Sequence, residues 1–405
     1  MRVIDGLGIS VPNGWDLTTL SAVTSKIGSG ATPRGGAAGY VHEGPALIRS
    51  QNVHDNRFKD EGLVFLSDKA AEALKGVAVL EGDVLINITG DSILRTCVVP
   101  KRVLPARVNQ HVAIIRSNGQ IDPGFLQKWL SQPLMKDFML GHSSGGTRKA
   151  ITKGHLQSFP VPLPPIEEQR GIARTFGALE ERIASNQRIV GIALRILDAL
   201  ASRASTELPA VPLGSLVTVV RDSVDPTRLG TAVVDHFSLP AFDEGARPDI
   251  VSATSIMSNK LRVTQRTILI SRLNPRFNRT WWAVPRTDIP ALSSTEFAPL
   301  TAPSAELLAG VWLAVRDEFF QGELARRVTG TSGSHQRVRP DDLLSIEVPD
   351  VSKLTKEVRE RALGLLELAE QKRNEVASLE RLRDMLLPDV LSGWVKVPQA
   401  DEVVA

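Results

Sequence analysis

Two loops of this chain read alike: SSGGTRKA (Ser143 to Ala150) and TGTSGSHQR (Thr329 to Arg337). Each sets glycines and small hydroxyl residues in front of cations and amides. Glycine lets backbone N–H groups come close to an anion, and Lys, Arg, Ser, Thr and Gln donate to phosphate oxygens or base edges. The first loop offers Ser143, Ser144, Thr147, Arg148 and Lys149, and the second offers Ser332, Ser334, His335, Gln336 and Arg337. Any single loop of this kind is more often a solvated turn. Its recurrence at the same place in both halves favours a binding role for Gly145 to Lys149 and Gly330 to Arg337.

Other donors cluster in the same style. In the first half they are Lys26, Ser29, Thr32 and Arg34; Arg49, Gln51 and Asn52; and Thr89 with Arg95. In the second half SRLNPRFNRTWW (Ser271 to Trp282) gathers Arg272, Asn274, Arg276, Asn278 and Arg279 around Phe277, Trp281 and Trp282. Arg and Asn beside rings suit phosphate gripping and base reading. The competing reading makes both tryptophans core and the arginines a solvated strand face.

Catalytic patterns are missing from the sequence. Gly28-x-Gly30 leads to Pro33 rather than a third glycine, and there is no Walker loop, no HExxH and no Asn/Asp-Pro-Pro-aromatic tetrad. Arg247-Pro248-Asp249 is not followed by an acidic-x-Lys of the nuclease kind. The seven histidines show no metal-ligand spacing, so neither catalytic residues nor a metal are expected.

Something must hold these loops. Short β-branched segments at Ala46 to Ile48, Val77 to Leu80, Val84 to Ile88, Cys97 to Val99 and Val112 to Ile115 predict strands, and Asp122 to Leu140 predicts a helix bearing Trp129. The second half repeats the order. TILIS (Thr267 to Ser271) stands where DVLIN (Asp83 to Asn87) stood, Ser294 to Leu300 where Asn109 to Ile115 stood, and Trp312 on Leu308 to Phe320 where Trp129 stood. The period is about 185 residues.

Between and after the halves lie two long helical patterns. From Ile166 to Ser202, after a Pro-rich tether, Ile172, Leu179, Ala193 and Leu200 recur every seven residues beside Phe176, Ile183, Val190 and Leu197, with Asn186 the one polar member. From Ser352 to Leu391, Val358, Leu365, Leu379 and Leu386 run beside Ala362, Ala369, Val376 and Val390, interrupted by Lys372 and Arg383, with Asp350 or Ser352 as cap and Pro388 at the fraying end. A rod of roughly 37 residues is roughly 55 Å long, more than one small domain hides. The two rows predict an antiparallel pair, against the alternative of two unrelated amphipathic helices on separate domains. The expected fold is α+β, with two similar mixed α/β domains separated by two long antiparallel coiled-coil helices in a pseudo-two-fold repeat.

The totals agree. A chain of 405 residues supports two or three cores, and a net charge of +3 permits an acidic partner without demanding one. A single cysteine, Cys97, leaves no intramolecular disulfide and suits a reducing cytoplasm, and no apolar run is long enough for a membrane span.

Several segments resemble those of one family, the specificity subunit of type I restriction-modification enzymes. They are PNGW (Pro12 to Trp15), LIRSQNV (Leu47 to Val53), GDVLI (Gly82 to Ile86), NQHVAIIR (Asn109 to Arg116), GGTRKAITKGHLQSFPVPLPPIEEQRGIA (Gly145 to Ala173) and LRDMLLPDVLSG (Leu382 to Gly393). The resemblance implies target-recognition domains at 1–165 and 206–350, spacer helices at 166–205 and 351–393, and a tail at 394–405. Each domain would read half of a split double-stranded DNA target. The helices would also bind two methyltransferase subunits, which recruit restriction subunits. This chain would bind no cofactor, S-adenosylmethionine being expected on the methyltransferases. The second half departs from the pattern: it lacks Pro-x-Gly-Trp, has GSHQR (Gly333 to Arg337) for GTRKA, and DVSKLTKE (Asp350 to Glu357) for PPIEEQR. The alternative is an orphan two-domain DNA-binding or scaffold protein.

Overall fold

A computed structural model of the chain describes residues 2–4, 6–33, 35–143, 149–328 and 336–397. The chain divides into two compact units, residues 1–182 with 379–405, and residues 183–378. Both long helices therefore contribute one end to each unit.

In the first unit, one sheet runs in the order Thr96–Val98, Val84–Asn87, Val112–Ser117, Thr24–Ser29, every neighbour antiparallel. A second runs Val64–Leu66, Tyr40–Ile48, Ala106–Val108, Ala78–Val79, its middle pair parallel. A two-stranded ribbon joins Asp16–Thr19 to Pro160–Leu163, the strand that feeds the first long helix. The second unit repeats all three. Its first sheet runs Thr280–Ala283, Thr267–Ser271, Phe297–Thr301, Thr218–Val219. Its second runs Asp249–Ser252, Val233–Phe237, Ala291–Ser294, Lys260–Arg262, again with a parallel middle pair, plus an edge strand Ser223–Val224. The ribbon is Ala210–Pro212 with Glu347–Pro349. The repeat expected from sequence is thus present in both sheets and the ribbon, while the pairs Arg2–Ile4 with Ile9–Val11 and Val53–His54 with Arg57–Phe58 are described in the first unit alone and the edge strand Ser223–Val224 in the second.

The helix expected over Asp122 to Leu140 is two helices, Pro123–Ser131 and Pro133–Gly141. Asp122 caps the first by accepting from the Gly124 and Phe125 amides at 2.8 and 3.1 Å, and Pro133 ends it by disfavouring helical backbone at Gln132. The counterpart is likewise split, Ala305–Arg316 and Glu318–Arg326, each capped by its preceding side chain, Ser304 or Asp317. Trp129 and Trp312 are buried at equivalent places.

The first long helix spans Ile166–Glu207, five residues beyond the expected end at Ser202. The second spans Lys356–Leu391 and starts four residues later than expected. Asp350 accepts from the Ser352 amide and caps a separate short turn, Val351–Lys353, while the Thr355 hydroxyl accepts from Val358 at 3.4 Å. Pro388 lies inside the last turns rather than at their end.

In the first unit, Ile172 and Phe176 share a core with Leu387, Val390 and Leu391, together with Trp15, Phe125 and Trp129. Trp15 donates to Glu168 at 3.1 Å and packs against Gly393, and Glu180 meets Arg383 at 3.3 Å. Numbers rise along one helix as they fall along the other, so the pairing is antiparallel. In the second unit, Leu197 and Ala201 share a core with Ala362, Leu366, Trp282 and Trp312. The seam of the first helix holds Ile172, Phe176, Ile183, Asn186, Ala193 and Leu197 buried, with Leu179, Val190 and Leu200 half-buried. On the second helix the leucine row is displaced by one. Leu366 and Leu387 are buried with Ala362, Ala369, Val376 and Val390, while Val358, Leu365, Leu379 and Leu386 flank them half-buried.

Candidate nucleic-acid interface

In the first unit, Asn87 pairs with Val112 and Ala113 with Ser29, so the loops 30–33, 88–95 and 109–111 leave the first sheet at one end. A polar chain crosses them. The Thr32 hydroxyl bonds the Gln110 side-chain oxygen, the Gln110 amide nitrogen lies 3.1 Å from His111 Nε2, and His111 Nδ1 lies 2.7 Å from Thr89 Oγ1. Thr89 bridges to Ala150, which brings exposed Lys149 to the same end. Asn87 Nδ2 donates to the Ser50 carbonyl at 2.9 Å and to Ser92 Oγ at 3.0 Å, tying the 49–53 loop in. Gly30 makes the crossing possible, because a Cβ there would stand 2.0 Å from the Val108 carbonyl oxygen.

The residues expected from sequence sort unevenly against this frame. Thr32, Thr89 and Lys149 belong to it, Ser29 ends its edge strand, and Arg95 lies on its 88–95 loop, half-buried. Arg49 and Gln51 both donate to the Gly62 carbonyl, at 2.5 and 3.3 Å. Asn52 is fully buried, accepting from the Arg49 amide and donating to the Lys59 and Glu61 carbonyls; its amide is used up holding the loop, so it does not face a ligand. Lys26 sits at the opposite end of the sheet, donating to Gly76 O at 2.8 Å; burial lowers its pKa, Arg116 adds to the shift and Asp83 opposes it. Ser143 closes a helix on the Leu140 carbonyl at 2.7 Å. Arg34, Ser144, Thr147, Arg148, Ser332, Ser334 and His335 lie outside the described residues.

The second unit builds the same backbone cradle. Ile88 N bonds His111 O, and Arg272 N bonds Glu296 O; Asn87 N bonds Arg95 O, and Ser271 N bonds Arg279 O; Ile151 N bonds Ile88 O, and Val338 N bonds Arg272 O. Thr89 bridges Ala150 as Leu273 bridges Arg337. The His111 amide donates to Asn109 Oδ1 and the Glu296 amide to Ser294 Oγ, both at 3.2 Å. The loops 88–95 and 272–279 carry non-glycine residues with left-handed backbone, Leu94 at φ 66° and Asn274 at φ 49°. Such conformations persist only where surroundings enforce them.

On that cradle the second unit carries different chemistry. Arg337 donates to both Glu296 oxygens, at 2.9 and 2.7 Å, and Arg279 to both Asp243 oxygens, at 2.7 and 2.8 Å. Both guanidiniums are therefore neutralised within the chain, which the sequence did not announce. The fork beside Glu296 holds its carboxyl below the usual range, against the upward push of burial. Burial lowers the Arg272 pKa, Glu296 opposing and Arg337 adding. Arg272 Nε and Asn274 Oδ1 are buried without a hydrogen-bond partner among the described residues. Arg276 lies 4.9 Å from the centre of the exposed Phe277 ring, Asn278 accepts from Thr280, and the Gln336 carbonyl accepts from the Asn274 amide. Trp281 and Trp282 are core: the first packs on Phe237, the second on Trp312. Gln110, His111 and Glu296 are site residues that the sequence did not single out, although Asn109-Gln110-His111 at the mouth of a strand was a visible polar signal.

No group of His, Cys, Asp or Glu among the described residues could hold a metal ion. Cys97 is buried and its thiol is pushed up to about 12, which makes it inert.

This is a twice-built polar loop cradle on a two-unit α+β frame. Residues 52–190 match the family model of the type I restriction modification DNA specificity domain. The EcoBI specificity subunit of Escherichia coli is 29% identical over 180 residues, 42% of this chain and 36% of that protein. The EcoKI specificity subunit of Escherichia coli K12 is 22% identical over 188 residues, 44% of this chain and 38% of that protein. The matched stretch thus spans little more than a third of those relatives. The crystal structure of a type I restriction-modification S subunit from M. genitalium shares the fold with a TM-score of 0.62 at 14% identity, covering 96% of this chain and 98% of that one. The resemblance to type I specificity subunits is borne out in sequence over 52–190 and in fold over nearly the whole chain.

Proposed function

We propose that the chain is the DNA-sequence-recognition subunit of a type I restriction-modification complex. The observation that carries this reading is the cradle built twice, bond for bond, with different side chains on it: one backbone platform reading two different half-sites of a split duplex target. The domains 1–165 and 206–350 are the readers, and the helices 166–205 and 351–393 are the spacer that also seats two methyltransferase subunits. Restriction subunits join through those, and S-adenosylmethionine is bound on the methyltransferases, which perform the chemistry. The complex works in the cytoplasm; no described helix is long and apolar enough to cross a membrane.

Co-expression with the neighbouring methyltransferase tests it. The expected product is a complex of one copy of this chain with two of the partner, whose DNA affinity falls steeply with salt. Replacing Lys149 and Arg276 by alanine should flatten the slope by about 0.9 for each phosphate no longer neutralised. A chain that purifies alone and ignores the partner supports the orphan DNA-binding or scaffold reading instead.

A further inference from the structure

Three arginines line the second cradle, and two of them are paired: Arg337 holds both oxygens of Glu296, and Arg279 both oxygens of Asp243. The third, Arg272, has no hydrogen bond to its guanidinium and no ion pair among the described residues, although its side chain is half-buried and its Nε is shut off from solvent. The charges that bear on it are Glu296, already engaged, and the like charge of Arg337. Burial and that neighbour both disfavour the cation.

A guanidinium keeps its charge whatever its surroundings, so leaving it half-buried without a counter-ion costs stability. The fold does not require it. The amide and carbonyl of Arg272 bond Glu296 and Val338 as those of Ile88 bond His111 and Ile151, which makes Ile88 its counterpart in the first unit. Ile88 packs against the core there, so the same cradle forms around an apolar side chain. In the second unit the loop fixes where the charge sits: both backbone groups of Arg272 are engaged, and Asn274 holds left-handed backbone at φ 49°. What the site lacks is a negative charge. A duplex presents one on every phosphate, whereas a base edge offers acceptors without charge.

Resting on the recognition reading above, we propose that Arg272 is a phosphate contact of the second half-site, left unpaired within the chain so that the DNA backbone supplies its counter-ion. The contact sets the register of the second unit on the duplex and carries no base preference. The first unit, with Ile88, makes no such contact at its equivalent position.

Arg272→Met keeps an unbranched stem and removes the charge. In the complex with the methyltransferase, affinity for a duplex carrying the wild-type methylation motif should fall about fivefold at physiological salt, and the slope of log K against log salt should flatten by about 0.9. The motif itself, mapped from genomic adenine methylation, should not change. Hydrogen exchange of the amides in Ala305–Arg316 of the free chain should be as slow as in wild type or slower, because an unpaired charge has gone. Weaker binding by a unit that is held or strengthened is a combination that a structural arginine does not give. An R272M chain that keeps full affinity and slope, that relaxes one base of the motif, or that opens more readily overturns the proposal. If R272M does not accumulate, R272K against R272Q decides: the lysine should keep the wild-type slope and the glutamine should lose about 0.9 of it, and equal slopes overturn the proposal. A wild-type complex with no affinity for any duplex refutes the recognition reading itself, an outcome separate from an R272M indistinguishable from wild type.

Discussion

Lys128 of the first unit is buried, its side chain only 5% exposed, donating to Asn56 Oδ1 at 2.7 Å and Glu180 Oε1 at 3.2 Å. Glu180 lies on the first long helix and also meets Arg383 of the second at 3.3 Å. One carboxylate thus serves two cations. Changing Glu180 to Gln leaves Lys128 without its ion-pair partner in a largely dry place, while Arg383 keeps Asp384 at 2.8 Å, and breaking a buried pair from one side costs about 3–5 kcal/mol. Changing Lys128 to Met removes the cation that burial penalises, leaves Glu180 with Arg383, and leaves Asn56 Oδ1 still accepting from Gln127 at 3.0 Å. That exchange should stay within about 1.5 kcal/mol of wild type. K128M should also rescue part of the E180Q loss, because the two residues touch. Hydrogen exchange of the amides in Pro123–Ser131 reads the opening free energy of this unit by itself. Burial pulls the Lys128 pKa below its ordinary 10.5, with Glu180 opposing the shift. Between the lowered folded value and 10.5 the unfolded chain holds the proton that the folded chain has lost, so stability rises with pH across that window. K128M should abolish the rise. Equal losses in E180Q and K128M would refute the reasoning, since they would show that the pairing itself and not the unbalanced charge carries the energy.

Gly30→Ala pushes a Cβ into the Val108 and Asn109 carbonyls, so the first unit should lose about 1–3 kcal/mol and DNA affinity should fall with it; denaturant unfolding with full affinity retained would contradict this. Asn186 is fully buried with neither amide atom partnered among the described residues, and Asn186→Leu should stabilise the second unit by about 1–3 kcal/mol in denaturant unfolding. A loss there would mean the amide fixes the register of the seam. Glu296, lowered by the Arg337 fork, contributes stability above the ordinary glutamate value of 4.5, and this is lost as pH falls through the lowered folded value. The difference between wild type and E296Q should therefore be present at pH 7 and close under acid; a pH-independent difference would rule out the ionised pair as its source.

The long helices were legible because a seven-residue apolar repeat over five heptads admits few other structures. Their register was less so: Leu365 and Leu366 are both apolar, and only packing decides which one faces inward. Here the choice fell on Leu366. The repeat was legible in order but not in pairing, since no local signal tells that Ala106–Val108 lies parallel to Tyr40–Ile48. At the site, glycine and charge marked the loops but not the partners of their arginines. Arg279 and Arg337 find their carboxylates 36 and 41 residues away, so nothing near them in sequence announced that they are paired. Asn52 failed for the converse reason: an amide that looks like a base reader is as useful for closing its own loop on the Lys59 and Glu61 carbonyls. His111 and Glu296 share no side-chain chemistry, and their equivalence exists only in backbone hydrogen bonds. Under the proposed function, that is the signature expected of a reader. If the platform must be constant and the reading must differ, the positions that matter most are those at which the two halves of the sequence look least alike.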